Sequence, residues 1–334
     1  MAISTKIFFS ESNNPWFNLA YEEQLVQEVA PDEIYLYLWQ NQHTVVIGKH
    51  QNPWREVLLS ELEAEGGKLA RRLSGGGAVY HDLGNLNFTF VMNRDHEDLH
   101  RQLKVIVDGL KVLGIEASFS GRNDILAEGR KFSGNAFYYG RENYYHHGTI
   151  LVDVDMTKLG RYLNVSMKKL NAKGVQSVKS RVINLKEINS EITIDKVKAA
   201  LAAAFEAEYG TASEHVYISE RTVSGSAQKR HEHYASWEWR IGRTPEFDVT
   251  LEEKFEWGEV VFNFKLRGAV IEESAVYSDA MTTDLVDLLQ GIFDGKRMMR
   301  EELVDAVKAV KGKSDASIDA MLDDIANWLD EQPI

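Results

Sequence analysis

The sequence predicts an α+β fold in two parts, a larger one over residues 1–246 and a smaller one over 247–334, and three observations predict it. At 334 residues the chain most naturally divides into two domains. Before residue 247, stretches that alternate with period two are interleaved with stretches of helical period, so the larger part holds both strands and helices. Beyond Phe247 the composition shifts to three alternating stretches followed by three helical ones, with Pro245 as the natural linker point.

The elements follow in order. Asn14-Pro15 opens a helix, with a side-chain cap followed by proline at the first helical position, and Phe17, Tyr21, Leu25 and Val29 give it a core-facing stripe. Ile34 to Trp39 and Thr44 to Lys49 read as a hairpin-like pair of strands, and Asn52-Pro53 as the cap of a helix that runs to Gly66-Gly67. Lys68 to Arg72, Ala78 to Tyr80 and Leu86 to Met92 are short strands, which makes Leu73 to Gly77 a tight loop. A helix over Asp95 to Leu113 and a strand around Ile115 to Phe119 come next. Gly121 to Val154 reads as three strands turned at Glu128-Gly129-Arg130 and Gly140-Arg141-Glu142. Helices follow at Met156 to Leu163 and at Thr193 to Tyr209, the second ended by Gly210. In the smaller part a meander of Val249–Trp257, Val260–Leu266 and Val270–Tyr277 precedes helices at Thr282–Phe293, Arg297–Val310 and Ser317–Leu329. That part carries no chemical constellation and reads as an accessory domain that covers, docks or moves.

Composition narrows the function. There is no cysteine, which removes disulfides, thiolate-bound zinc and every thiol nucleophile. A net charge of −13 argues against nucleic acid as a partner. The N-terminus lacks a basic region followed by an apolar one, and no apolar run is long enough to span a bilayer, so a cytoplasmic enzyme with no membrane partner is expected. Against the acidic background, Met156 to Lys186 holds no Asp or Glu but contains Lys158, Arg161, Lys168, Lys169, Lys173, Lys179, Arg181 and Lys186. An acid-free basic island is a local anion site or a docking patch for an acidic partner.

Two segments carry the chemistry. In RRLSGGG, Gly75, Gly76 and Gly77 let the backbone reach φ > 0 and bring its N–H groups up to a ligand, Arg71 and Arg72 supply cations, and Ser74 adds a hydroxyl. That combination suits an anion with a flat or narrow body. In RKFSGNAFYY, the small residues Ser133, Gly134 and Ala136 stand where a strand normally carries bulk, so Lys131 can reach across an uncluttered surface. His146 and His147 are adjacent in a strand and so point to opposite faces, one toward the ligand and one toward packing or surface.

The stretch ARRLSGGGAVYHDLGNLNFTF resembles the lipoate-binding loop and following strands of the lipoate-protein ligase family. KFSGNA matches that family's KxxGxA lysine motif, HHGT its histidine pattern, and SWEWRIGRTPEF closes the large domain as it does there. The resemblance implies a large mixed-sheet catalytic domain of the biotin/lipoate ligase type and a small C-terminal accessory domain. It implies an ATP-dependent ligase that activates free lipoate as lipoyl-AMP and passes the lipoyl group to a lysine of apo lipoyl-domain carriers, E2 subunits or the glycine cleavage H protein. Lys131 would be catalytic, with Arg72, Ser74, Gly75, Gly76, Gly77, Val79 and His147 along the lipoyl body. Asn85, Asn123, Asp124, Lys131, Lys173, Lys179 and Arg181 would face the nucleotide. Mg²⁺ would bridge the ATP phosphates, and Asp124 is the nearest acid to hold it or to orient the amine, or else it caps its own hairpin. A monomer is expected. The rivals are an octanoyl transferase, which needs the missing cysteine, a biotin ligase, whose GRGRxG-type loop is absent, and a non-catalytic carrier-binding protein, which would have lost the lysine or the adenylate loop.

Overall fold

The structure, a computed structural model, describes residues 3–120, 124–163, 182–210, 212–221, 226–242 and 247–332. Its residues group into two compact units. One holds residues 1–47, 54–73 and 78–240; the other holds 48–53, 74–77 and 241–334. The expected boundary at 246/247 adjoins residues 243–246, which lie outside the described ones.

The first unit is built on an eight-stranded mixed sheet. Its strands are β1 (Ser4–Ser10), β2 (Glu33–Trp39), β6 (Asn85–Asn93), β7 (Ala117–Ser120), β8 (Asp124–Ala127), β9 (Arg130–Tyr139), β10 (Asn143–Leu151) and β11 (Glu214–Ile218). They lie in the order β11-β1-β2-β6-β10-β9-β8-β7, parallel where β1 meets its two neighbours and antiparallel beyond. A second, three-stranded sheet places β3 (Thr44–Ile47) between β4 (Lys68–Arg71) and β5 (Val79–His81). The expected hairpin of Ile34–Trp39 with Thr44–Lys49 is therefore not formed: β2 pairs with β1 and β6, while β3 joins the other sheet. One stretch is apolar and aromatic and the other apolar and β-branched, which fixes them as strands but not their partners.

Helices cover both faces of the large sheet. On one face, the helices Leu99–Lys111 and Ile194–Tyr209 close an apolar core that includes Phe88, Phe90, Ile106, Phe132 and Phe205. Each is capped as its sequence dictates, Asp98 accepting from Arg101 N and Thr193 from Lys196 N. The ordered α-helix thus starts at Leu99, not Asp95, because Asp98 takes the cap after a short 3₁₀ turn at Arg94–His96. On the other face lies α1 (Pro15–Glu28), with Asn14 accepting from Trp16 N and with Phe17 and Leu25 buried. The helix expected from Pro53 to Gly66 is broken into Pro53–Glu56 and Leu59–Ala64. Val57 bridges Leu163 and Leu58 N–H donates to Tyr162 O, so tertiary pairing draws those two residues out of the helix.

The second unit contains the meander β12 (Val249–Phe255), β13 (Gly258–Arg267) and β14 (Val270–Ser278), backed by helices Asp284–Leu289, Arg300–Lys308 and Ala316–Asp330. Phe262, Phe264, Phe293, Leu322 and Trp328 fill its core. Among the described residues no helix is long and apolar enough to cross a membrane.

Candidate functional site

Lys131 owes its orientation to a β-bulge. Asp124 pairs with Gly134 and Ile125 with Ser133, but Leu126 pairs with Lys131, leaving Phe132 as an extra residue on β9. One inserted residue reverses the side-chain alternation. Ser133 accordingly shares the face of buried Ile125, whereas Lys131 lies on the opposite face with Asp124 and Gly134. The expectation that Ser133, Gly134 and Ala136 form one uncluttered surface is corrected here, since Gly134 and Ala136 face Lys131's side and Ser133 does not. Lys131 Nζ sits 2.6 Å from Asp124 Oδ1, with each side chain about one-third exposed. A methyl on Gly134 would stand 3.0 Å from that Nζ and 3.1 Å from Cε, so glycine lets the ammonium lie flat on the strand. Gly134→Ala should displace the ammonium and lower turnover by about 10-fold, against the roughly 100-fold that an ångström of misplacement can cost. Equal turnover at unchanged thermal stability would show that this close approach does not matter.

The same sheet face carries a band of buried polar groups. His147 lies opposite Thr89 and Ala136, with Asn87 and Thr149, and Asn85 and Leu151, in the next same-face rows. Glu22, 1 % exposed on α1, accepts from Thr89 Oγ1 at 2.7 Å and from His147 Nδ1 at 2.8 Å, and Trp39 Nε1 donates to Thr89 Oγ1 at 3.0 Å. Arg72 is buried nearby, donates to Val46 O at 3.3 Å, and is pushed down to about 10 by burial, an effect that Tyr145 and Glu22 oppose. Among the described residues, the buried atoms Asn85 Oδ1, Asn87 Nδ2, His81 Nε2 and Tyr145 Oη have no hydrogen-bond partner. Each such orphan costs about 1–3 kcal/mol, so the three on this face, Asn85, Asn87 and Tyr145, mark with His81 of β5 where a ligand's polar atoms belong.

His146 faces the other way, as expected. Its Nδ1 is 2.9 Å from Gln102 Oε1, its Nε2 is 2.9 Å from Asn135 Oδ1, and its ring stacks on Phe137. Burial, then the charge of His147, pushes it down to about 3; burial, then Arg72 and His147, does the same to His81. Unfolded histidine takes up a proton near 6.5, whereas these two do so only near 3. The stability that their neutral rings contribute is complete above about 6.5 and is lost as pH falls from there toward 3. Each then steepens the loss by up to about 1.4 kcal/mol per pH unit. Urea titrations between pH 7.5 and 5 should show that slope. His146→Phe should flatten it while lowering stability overall, and an unchanged slope would contradict a neutral buried ring.

The two arginines before the glycine loop divide their work. Arg71 Nε donates to Trp239 O and Arg71 Nη2 to Arg240 O, both at 2.9 Å, while Trp239 Nε1 returns a bond to Arg71 O. Arg71 thus fastens Trp237–Arg240 to β4, and only Arg72 lies in the polar band. The loop itself belongs to the second unit. Gly76 adopts φ 87° and its N–H donates to Ala280 O at 3.1 Å. A side chain on Gly75 would collide with the carbonyls of Ala280 and Met281, and one on Gly77 would meet nothing within 4 Å. The expectation that all three glycines serve φ > 0 and offer their N–H groups to a ligand is therefore corrected: Gly76 alone needs its φ, and its N–H is spent on Ala280. Ser74 is buried, and its carbonyl accepts from Lys49 N.

Of the remaining sequence candidates, Val79 lies on β5 opposite Val46 and packs with the α1-side core. Asn123, Lys173, Lys179 and Arg181 lie outside the described residues. At the described ends of the basic island, Arg161 pairs with Glu65, and Lys186 Nζ lies 2.5 Å from Asp153 Oδ2. Among the described residues no group of three or more metal-ligating side chains is assembled. Sequence reasoning missed Glu22. Asn18 and Glu22, four apart and both buried on α1, were the available signal.

Comparison with known proteins adds the lineage. The profile of the lipoyl protein ligase A/B catalytic domain matches residues 14–206, and that of the bacterial lipoate protein ligase C-terminus matches 244–329. A lipoate-protein ligase A of Psychrobacter cryohalolentis is 39 % identical over 331 residues, 97 % of each chain. Among solved structures, P. falciparum LipL1 in complex with lipoate is 30 % identical with a TM-score of 0.85, covering 98 % of this chain and all of that one. A lipoate-protein ligase A bound with ATP is 26 % identical with a TM-score of 0.61, covering 72 % of this chain and 99 % of that one. A bipartite lipoate protein ligase from Thermoplasma acidophilum, described with its E2 lipoyl domain, is 27 % identical with a TM-score of 0.64, covering 74 % of this chain and all of that one.

Proposed function

This chain belongs to the lipoate-protein ligase A family and is a ligase, and on that premise we propose that it activates free lipoate with ATP and transfers the lipoyl group to a lysine of apo lipoyl-domain carriers. The observation that carries the proposal is the single sheet face that holds Lys131 and Asp124 at one end and the orphaned polar band at the other. A carboxylate is a poor acyl donor because oxide is a hopeless leaving group. Its oxygen first attacks the α-phosphorus of ATP and pyrophosphate departs. The carrier's lysine amine then attacks the acyl carbonyl, AMP leaves, and the amine loses a proton.

Both steps gather negative charge on oxygens, so positioned cations do most of the work. The ammonium of Lys131 is a mobile point charge able to follow carboxylate, carbonyl and phosphate oxygens in turn. Arg72, Ser74, Gly75, Gly77, Val79 and His147 would line the lipoyl body. Asn85, with its unpartnered Oδ1, would face the adenylate, as would Asn123, Asp124, Lys173, Lys179 and Arg181. Mg²⁺ suits this set only as an ion carried mainly by the ATP phosphates, because Asp124 is one carboxylate already paired with Lys131; it would supply charge neutralisation there. On this reading residues 1–246 carry the chemistry, 247–334 are accessory, and the protein works as a cytoplasmic monomer on E2 subunits or the glycine cleavage H protein.

Incubation with lipoate, ATP, Mg²⁺ and an apo lipoyl domain should add the mass of one lipoyl group to one carrier lysine. Tight lipoate binding without such a gain would favour a carrier-binding protein instead.

A further inference from the structure

We propose that Asn184 is a positioning residue for Lys131, an inference that rests on the role given to Lys131 above. β10 pairs with β9 only from Asn135 to Tyr139, so at Lys131 the strand has lost that neighbour. On the other side, the bulge at Phe132 has interrupted the ladder to β8. The chain following residue 181 fills the gap. Val182 bridges Lys131 in parallel, and Ile183 N–H donates to Lys131 O at 2.9 Å.

Asn184 fixes that short stretch in place. Its Oδ1 accepts from Val154 N at 2.9 Å and its Nδ2 donates to Val154 O at 2.9 Å, so one side-chain amide imitates the two-way bond of a strand pair. Its own N–H donates to Glu187 Oε1 at 3.0 Å, and Lys186 N–H donates to Val152 O at 3.0 Å. Val152 to Val154 is where the chain leaves β10, the strand that carries His147. Asn184 therefore ties the backbone carrying Lys131 to the backbone leaving the polar band. Ile183 and Leu185 are fully buried in the apolar core on either side, so the segment stays folded when the amide is removed and only its register relaxes. Neither Ala nor Asp reproduces the clasp, since Asp keeps the acceptor but offers no donor to Val154 O.

The test is lipoate-dependent exchange of labelled pyrophosphate into ATP, without carrier, in Asn184→Ala and Asn184→Asp. Both should lose about 10- to 100-fold in kcat, the scale of a misplaced catalytic group, while lipoate KM stays within about 3-fold. In a Lys131→Ala background, followed in single turnover at high enzyme concentration, Asn184→Ala should cost nothing further, because it acts through the lysine. An undiminished kcat, a loss carried mainly by KM, or an equal loss with and without Lys131 would overturn the inference while leaving the ligase reading intact. Undiminished exchange in Lys131→Ala alone would overturn the inference together with the role given to Lys131.

Discussion

Lys131→Ala should lower the rate of lipoyl transfer to an apo carrier by at least about 10²–10³-fold, the usual cost of removing one preorganised charge from a developing oxyanion. The fold should not notice. The side chain is one-third exposed and its ion pair with Asp124 is of the kind worth about 0–1 kcal/mol, so the melting temperature should move by no more than a few degrees. Loss of activity at preserved stability separates a chemical role from a structural one. Lys131→Arg should not restore the rate. A planar fork cannot lie over Gly134 as the ammonium does, and it cannot pivot between successive oxygens. Full activity in Lys131→Arg would mean that positive charge alone, wherever placed, is sufficient.

Glu22→Ala should produce the largest loss of stability, about 3–5 kcal/mol, because it strands buried groups that rely on its carboxylate. Thr89 and His147 would each lose an acceptor, and buried Arg72 would lose a nearby counter-charge. For a unit of this size the melting temperature should fall by roughly 6–20 °C. Glu22→Gln keeps one acceptor and should fall between the variant and the native chain. A shift of a degree or two in Glu22→Ala would show that water replaces the carboxylate and that the polar band is wetter than its burial implies.

Much of this was legible in local sequence. Asn14-Pro15, Thr193 and Gly210 end their helices where side-chain caps and a left-handed glycine demand it. The turns at Glu128-Gly129 and the C-terminal meander fall where their glycines stand. What escaped depends on partners distant in the chain. The pairing of Leu126 with Lys131 makes the bulge that turns the lysine to Asp124, and nothing in RKFSG announces an extra residue. Val57 and Leu58 have helix-compatible sequence and leave the helix only because Leu163 and Tyr162 claim them. Glu22 is buried only because Thr89 and His147, far along the chain, stand beside it. Glycines 75 to 77 read as interchangeable, yet only the backbone of Ala280 and Met281 distinguishes them.

On the proposed reading this chain makes an acyl-adenylate before any carrier is involved. Exchange of labelled pyrophosphate into ATP, measured on the wild-type protein with and without lipoate and with no carrier present, tests it most directly. The account predicts exchange that requires lipoate and collapses in Lys131→Ala. Exchange that proceeds without lipoate, or that is absent while lipoate binds tightly, would contradict it.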